Sequence, residues 1–236
     1  MHFTPTFTAN GCRLTGAQAL LGCRRPIPGL PLPNAPGRPA ERNGAVDATA
    51  HRLLDEVCWQ VSQWDSAGLR PPRIAIGVAP GVLRGNALLV RLGDSQRRYG
   101  LGAGRLMLEC TEAAAMRDPA QTGPMLEQLR AMGVAVALDD FGSGCSSLAH
   151  LRNLAIDQIK IDRQLVQGLD KPESRARAIV AAIIEIGRTL DMEVVAKGVE
   201  TREQLDALCA LGCAQVQGTL LSLPLSGPEF AQRWLA

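Results

Sequence analysis

Two adjacent carboxylates end an apolar run in Leu138-Asp139-Asp140-Phe141-Gly142-Ser143-Gly144-Cys145-Ser146-Ser147-Leu148. A loop punctuated by glycines follows them, an arrangement that is common where a strand end presents ligands to a hard metal ion. A second segment, Val194-Val195-Ala196-Lys197-Gly198-Val199-Glu200, has a lysine where a metal–phosphate site of this kind would carry another acid. The two segments therefore predict a site at a strand end and, within it, a cation that opposes metal binding.

Short apolar runs alternate with longer helical segments from about Arg73 onward, which predicts successive β/α units and a parallel sheet. We expect strands at Arg73–Ala79, Arg105–Thr111, Val134–Asp140, Gln158–Asp162, Glu193–Ala196 and Ala214–Gln217. We expect helices at His51–Ser66, Ala120–Met132, Pro172–Leu190 and Arg202–Leu211. The helical spacing of five residues in the third helix predicts its core-packing face: Ile179, Ile183, Ile184, Ile186 and Leu190.

The first 46 residues follow a different pattern. Phe3–Phe7 and Arg13–Leu21 predict an antiparallel strand pair around Ala9-Asn10-Gly11, because Asn-Gly tolerates the positive φ of a tight hairpin. Six prolines then fall between Pro26 and Pro39, a density that neither a helix nor an inner strand tolerates. We therefore expect an irregular, poorly ordered loop over residues 24–43.

Length and composition indicate the class of protein. The 236 residues suit one domain over residues 1–236, and the seven cysteines, which mostly lie in apolar runs, favour reduced, buried thiols in a cytoplasmic protein. No apolar stretch reaches the roughly 18 residues that a membrane helix needs, so we expect no membrane span. The single tyrosine argues against a stacking platform for nucleic acid.

Five motifs in order along the chain resemble the EAL family of bacterial domains. They are Leu108-Glu109-Cys110-Thr111-Glu112, Asp139-Asp140-Phe141-Gly142, Ile159-Lys160-Ile161-Asp162-Arg163, Gly198-Val199-Glu200-Thr201 and Val216-Gln217-Gly218. Members of that family hydrolyse or bind the messenger cyclic di-GMP. The resemblance implies an α/β fold, namely a single (β/α)8 TIM-like barrel of the EAL type with an antiparallel N-terminal strand.

The resemblance also implies a site, because barrel chemistry collects at the C-terminal ends of the strands. Glu109, Asp139 and Asp140 match metal ligands, and Lys160 matches the cation that faces the phosphate or the water. Glu112 matches a glutamate that supports a loop, although a surface acid would read the same way.

Five positions depart from the family pattern. Gln18 stands for the family's eponymous acid, Gly77 for an asparagine ligand and Lys197 for a glutamate of the metal and water network. Gly22 stands for an arginine that grips a phosphate, and Thr4 for a glutamine that contacts the nucleotide. Gln18 and Lys197 together make the site about three charge units more positive, and a cation among the ligands strongly opposes metal binding.

Lys197 then has two roles open to it. Its ammonium replaces the metal among Glu109, Asp139 and Asp140, or its side chain extends to solvent and leaves the site alone. We expect the first, with an ion pair to at least one of these carboxylates. Gln217 ends the last barrel strand, where its amide either orders the site or bonds only protein groups.

We interpret the chain as a degenerate EAL domain, not an active enzyme, that acts in cyclic di-GMP-linked signalling through contacts with a regulatory protein. One alternative is a non-hydrolysing receptor that binds cyclic di-GMP through Asp140, Lys160 and Gln217. The other is an active metal-dependent phosphodiesterase, for which the resemblance implies Mg²⁺ or Mn²⁺. On the first interpretation no cofactor is expected, and the sequence leaves a dimer open.

Overall fold

A computed structural model describes residues 1–10, 13–21, 45–83, 86–144, 151–170 and 173–236. The strands are β1 (His2–Thr8), β2 (Leu14–Leu20), β3 (Arg73–Gly77), β4 (Leu106–Thr111), β5 (Ala135–Phe141), β6 (Gln158–Ile161), β7 (Glu193–Lys197), β8 (Gln215–Gln217) and β9 (Leu225–Ser226). The α-helices are α1 (Ala45–Ser66), α2 (Ala87–Tyr99), α3 (Glu112–Met116), α4 (Pro119–Ala131), α5 (Arg163–Gln167), α6 (Arg175–Thr189), α7 (Arg202–Ala210) and α8 (Gly227–Trp234). Two 3₁₀ turns lie at Pro80–Leu83 and Gly168–Asp170.

The sheet closes into a barrel. Strands β2 to β8 are parallel neighbours in chain order, and β1 lies between β8 and β2, antiparallel to both. Thr4 pairs with Gln18 on one side of β1, and Phe7 pairs with Val216 on the other. The predicted barrel with an antiparallel N-terminal strand is confirmed.

Alternation along the strands separates the outer core from the barrel interior, because successive side chains of a strand point to opposite faces. Ile74, Ile76 and their equivalents in the other strands pack against the helices in the main hydrophobic cluster. Ala75, Met107 and Ala137 form a small separate cluster inside the barrel. Two residues further along β4 and β5, the same inward face carries Glu109 and Asp139, which places charged side chains at the C-terminal end of the barrel.

The core-packing face of α6 differs from the prediction. Val180, Ile183, Ile184 and Gly187 are buried, whereas the side chain of Ile179 is 44% exposed. At Gly187 a Cβ would lie 2.2 Å from Val194 Cγ2, so the helix approaches β7 most closely through the glycine. Ile183 and Ile184 are buried as predicted, and Ile186 and Leu190 pack against the core, whereas the prediction was wrong for Ile179 and missed the contact of Gly187.

Other expectations met mixed outcomes. Helix α2, which buries Leu88, Leu89 and Leu92, was not predicted. The four described cysteines are free thiols, and three of them are buried, but Cys209 is exposed near the end of α7, which corrects the expectation for that residue.

The proline-rich interval at residues 24–43 lies outside the described residues. In the described part of the chain, no helix combines the length and the apolar character needed to cross a bilayer.

Candidate functional site

The predicted site residues come together at one end of the barrel. Each lies at or close to the end of its strand, in the order Gln18 on β2, Gly77 on β3, Glu109 on β4, Asp139 and Asp140 on β5, Lys160 on β6, Lys197 on β7 and Gln217 on β8. Parallel strands bring their carboxyl ends to the same rim, which we call the mouth of the barrel. The strand map from the sequence therefore placed these residues correctly at the strand ends.

Glu109 and Lys160 form an ion pair inside the mouth. Lys160 Nζ contacts Glu109 Oε1, and the two side chains are only 2% and 1% exposed. Gln18 Nε2 donates a hydrogen bond of 2.5 Å to the other carboxylate oxygen, Glu109 Oε2. Burial raises the pKa of Glu109 and outweighs the opposing effect of the Lys160 charge. Lys160 thus directs its charge to a protein carboxylate.

Lys197 bridges the two adjacent aspartates of β5. Its Nζ lies 2.5 Å from Asp139 Oδ1 and 2.9 Å from Asp140 Oδ1. The predicted ion pair is confirmed, and the alternative in which the side chain extends to solvent is wrong, because that side chain is only 18% exposed. Burial lowers the pKa of Lys197, but the charges and hydrogen bonds of both aspartates outweigh burial and raise it. The ammonium therefore stays protonated at neutral pH.

The chain turns sharply just after Asp139. Asp140 has φ +53°, in the left-handed region that aspartate tolerates better than most residues, and the pairing of β5 with β6 shifts register between Leu138 and Phe141. The Asp140 carbonyl accepts hydrogen bonds from the Ser143 amide at 3.3 Å and the Ser143 hydroxyl at 2.7 Å. We call residues 139–144 the β5 turn. The positive φ of Asp140 was not anticipated from the sequence.

Glu112 braces the β5 turn from α3. Its buried Oε2 accepts a hydrogen bond of 2.7 Å from the Gly142 amide. At Gly144 an added Cβ would lie 3.1 Å from Glu112 Oε1, so the turn packs closely on the carboxylate. These are the contacts that a loop-supporting residue would make.

Gln217 and Gly77 lie at the rim but present no free ligand group to the mouth: the Gln217 amide is hydrogen-bonded within the protein, and Gly77 has no side chain. Gln217 Nε2 donates to the Thr4 carbonyl at 3.1 Å and lies 3.5 Å from Thr6 Oγ1, so its amide is engaged with β1. The sequence left this choice open, and Thr6 was not anticipated as a contact. At Gly77 an added Cβ would meet no atom within 4 Å.

That open space at the end of β3 supports a first prediction. We expect Gly77→Asn to change the free energy of unfolding by no more than about 0.5 kcal/mol, because the new side chain meets no steric conflict. Denaturant unfolding measures the difference. Gly187→Ala is the matched control and should be clearly less stable, since its Cβ would overlap Val194. Equal losses from both substitutions would contradict the prediction.

The donors present do not fit a divalent metal ion. Such an ion needs a ring of free oxygen ligands, yet Glu109 pairs with Lys160, and both Asp139 and Asp140 pair with Lys197. Gly77 contributes no side chain. Three carboxylates and two ammonium groups leave this part of the mouth with a formal charge of −1, so the lysines offset most of its negative charge. Its present chemistry is that of an internally compensated charge cluster.

Comparison with known proteins gives consistent results. Residues 1–224 match the EAL domain family. The chain is 37% identical over 229 residues to the bifunctional diguanylate cyclase/cyclic di-GMP phosphodiesterase MucR of Pseudomonas aeruginosa, covering 97% of this chain and 33% of that protein. It is 37% identical over 226 residues to the cyclic di-GMP phosphodiesterase NbdA of the same organism, covering 95% of this chain and 29% of that protein.

A solved structure, the MucR phosphodiesterase in complex with cyclic di-GMP, superposes with a TM-score of 0.90 at 37% identity, covering 97% of this chain and 92% of that chain. The chain spans about a third of the length of the curated relatives that it matches.

Proposed function

The chain belongs to the EAL domain family, and from that premise we propose that residues 1–236 form one domain that serves cyclic di-GMP signalling without hydrolysing the messenger. On this proposal the domain acts through contacts with a regulatory protein. No divalent ion is required for that action.

One observation carries the proposal, namely the Lys197 ammonium between Asp139 and Asp140. Two unit charges about 4 Å apart interact by about 4 kcal/mol at an effective dielectric of about 20, so a cation entering beside this ammonium meets a repulsion worth several powers of ten in affinity. Metal-assisted phosphodiester hydrolysis needs the metal both to activate water and to neutralise the phosphate. A mouth in which the Lys197 ammonium already occupies two of the carboxylates therefore favours a role other than hydrolysis.

A non-hydrolysing receptor for cyclic di-GMP is the second candidate. It is favoured by the likeness to the MucR structure, which was solved in complex with cyclic di-GMP. Against it, Lys160 and Gln217 already make protein contacts, and Asp140, whose side chain is 35% exposed, is paired with Lys197. A ligand that used these groups would have to displace those contacts.

Titration calorimetry and a turnover assay test the proposal together. We expect chromatography to detect no hydrolysis product of cyclic di-GMP, whether Mg²⁺, Mn²⁺ or neither ion is added. We also expect calorimetry to detect no heat of binding when the messenger is added. The MucR phosphodiesterase serves as the active control. Binding without turnover would establish the receptor, and turnover that depends on Mg²⁺ or Mn²⁺ would refute the proposal.

A further inference from the structure

The β5 turn is clamped by three separate elements. Lys197 on β7 holds Asp139 and Asp140 at its start, and Glu112 on α3 holds the Gly142 amide in its middle. Leu165 on α5 closes the third side, since a Cβ at Gly142 would lie 2.6 Å from Leu165 Cδ1. The turn therefore has little freedom as long as all three contacts persist.

The start of this turn is also its most costly part. A residue other than glycine with positive φ costs of the order of 1 kcal/mol, and two neighbouring carboxylates repel each other unless a cation lies between them. Lys197 Nζ supplies that cation within 2.9 Å of both. Because it is part of the chain, its presence does not depend on ion concentration.

We propose that Lys197 is a positioning residue that fixes the β5 turn in one conformation, so that the mouth presents the same surface to a protein partner whether or not divalent ions are present. This inference rests on the proposed function, because a signalling surface fixed by lysine has meaning only if no metal does the same work. On this inference the signalling output of the domain is constitutive, because the concentration of divalent ions does not change the surface that the mouth presents.

Hydrogen–deuterium exchange of the amides of residues 141–144 tests the inference. In the wild type we expect slow exchange that Mg²⁺ does not alter. In Lys197→Met, which keeps an unbranched apolar side chain but removes the charged end, we expect exchange to rise by about tenfold, because the aspartates lose their shared partner and the turn opens locally. Added Mg²⁺ should slow that exchange again, since a free ion can then approach the uncompensated carboxylates.

Three further variants make the test specific. Asp140→Asn keeps a residue that tolerates positive φ but weakens one of the two ion pairs, so it should raise exchange less than Lys197→Met. The double variant should exchange no faster than Lys197→Met alone, because both changes break the same link. Arg202→Met, which removes an exposed ion pair to Asp206, is the control and should leave the turn unchanged.

Three results would overturn the inference: wild-type exchange that Mg²⁺ slows, a folded Lys197→Met protein whose turn exchanges like the wild type, or additive effects in the double variant. If Lys197→Met does not fold, the wild-type response to Mg²⁺ and the Asp140→Asn result still decide. Amides of β2 and β4 report global opening separately. Hydrolysis by the wild type would refute the proposed function through a different measurement.

Discussion

The triple variant Gln18→Glu, Gly77→Asn, Lys197→Glu is expected to bind Mg²⁺ or Mn²⁺, and the wild type is expected to bind neither. The three changes remove one buried cation, add two carboxylates and supply one amide oxygen at the mouth. The charge of the mouth falls by about three units, and each unit at about 4 Å is worth about 4 kcal/mol at an effective dielectric of about 20. Calorimetry measures the affinity, and a melting temperature that rises with metal concentration confirms it independently of activity.

The structure explains why all three changes are needed. Lys197→Glu alone removes the competing ammonium, but Gln18 still donates its amide to Glu109, and Gly77 still has no ligand atom. We therefore expect only weak metal binding from the single variant. Gln18→Glu places a second carboxylate against Glu109, so the metal-free triple variant should be less stable than the wild type and should regain stability with metal.

Hydrolysis should return less fully than metal affinity. Gly22 has no side chain to hold a phosphate, and catalysis depends on positioning as well as on charge. Chromatographic turnover of cyclic di-GMP by the wild type, the single and the triple variant gives the comparison. A folded triple variant that binds no metal would mean that the mouth has diverged beyond these three positions.

Lys160→Met is expected to cost about 3–5 kcal/mol of the free energy of unfolding, the largest loss of stability predicted for a single side chain here. The substitution keeps the apolar stem but leaves the Glu109 carboxylate buried, with Gln18 as its remaining hydrogen-bond donor at the mouth. An uncompensated charge in that position is far more costly than the loss of the pair itself. Urea unfolding followed by circular dichroism measures the change.

Two control variants accompany Lys160→Met. Lys160→Met with Glu109→Leu should recover much of the loss, because both buried charges are then gone. Arg202→Met breaks an exposed pair with Asp206 and should cost less than about 1 kcal/mol. A loss for Lys160→Met as small as that for Arg202→Met would show that Glu109 finds another partner or takes up a proton at little cost.

The strand positions were predictable because they depend on local patterns, whereas the candidate site residues were assigned from the resemblance to the EAL family. Short apolar runs marked β4, β5 and β7 to within one residue at each end. The Lys197 ion pair followed from the same map, since strand ends of one barrel share a rim. A lysine at that rim lies beside carboxylates on the neighbouring strand ends, and the attraction between opposite charges favours an ion pair with one of them.

Other contacts depended on distances that sequence spacing does not encode. The sequence predicted only that Lys160 would face a phosphate or a water. Its ion pair with Glu109, which lies two strands away, depends on the three-dimensional packing. Ile179 satisfied the helical period but is exposed, and helix α6 approaches Val194 through Gly187, a contact that the spacing of apolar residues does not reveal. Helix α2 was recognisable in retrospect from Leu88 and Leu92 and from the left-handed Gly100 at its end.

The position of β1 in the barrel has a consequence for synthesis on the ribosome. The β1–β2 hairpin is local and can form early, but the other edge of β1 pairs Phe7 with Val216, which is synthesised 209 residues later. Until then this edge stays unpaired and open to wrong strand partners. We expect nascent chains released before β8 to be bound by chaperones and to aggregate, and the final seam between β1 and β8 to be the step that ends that exposure.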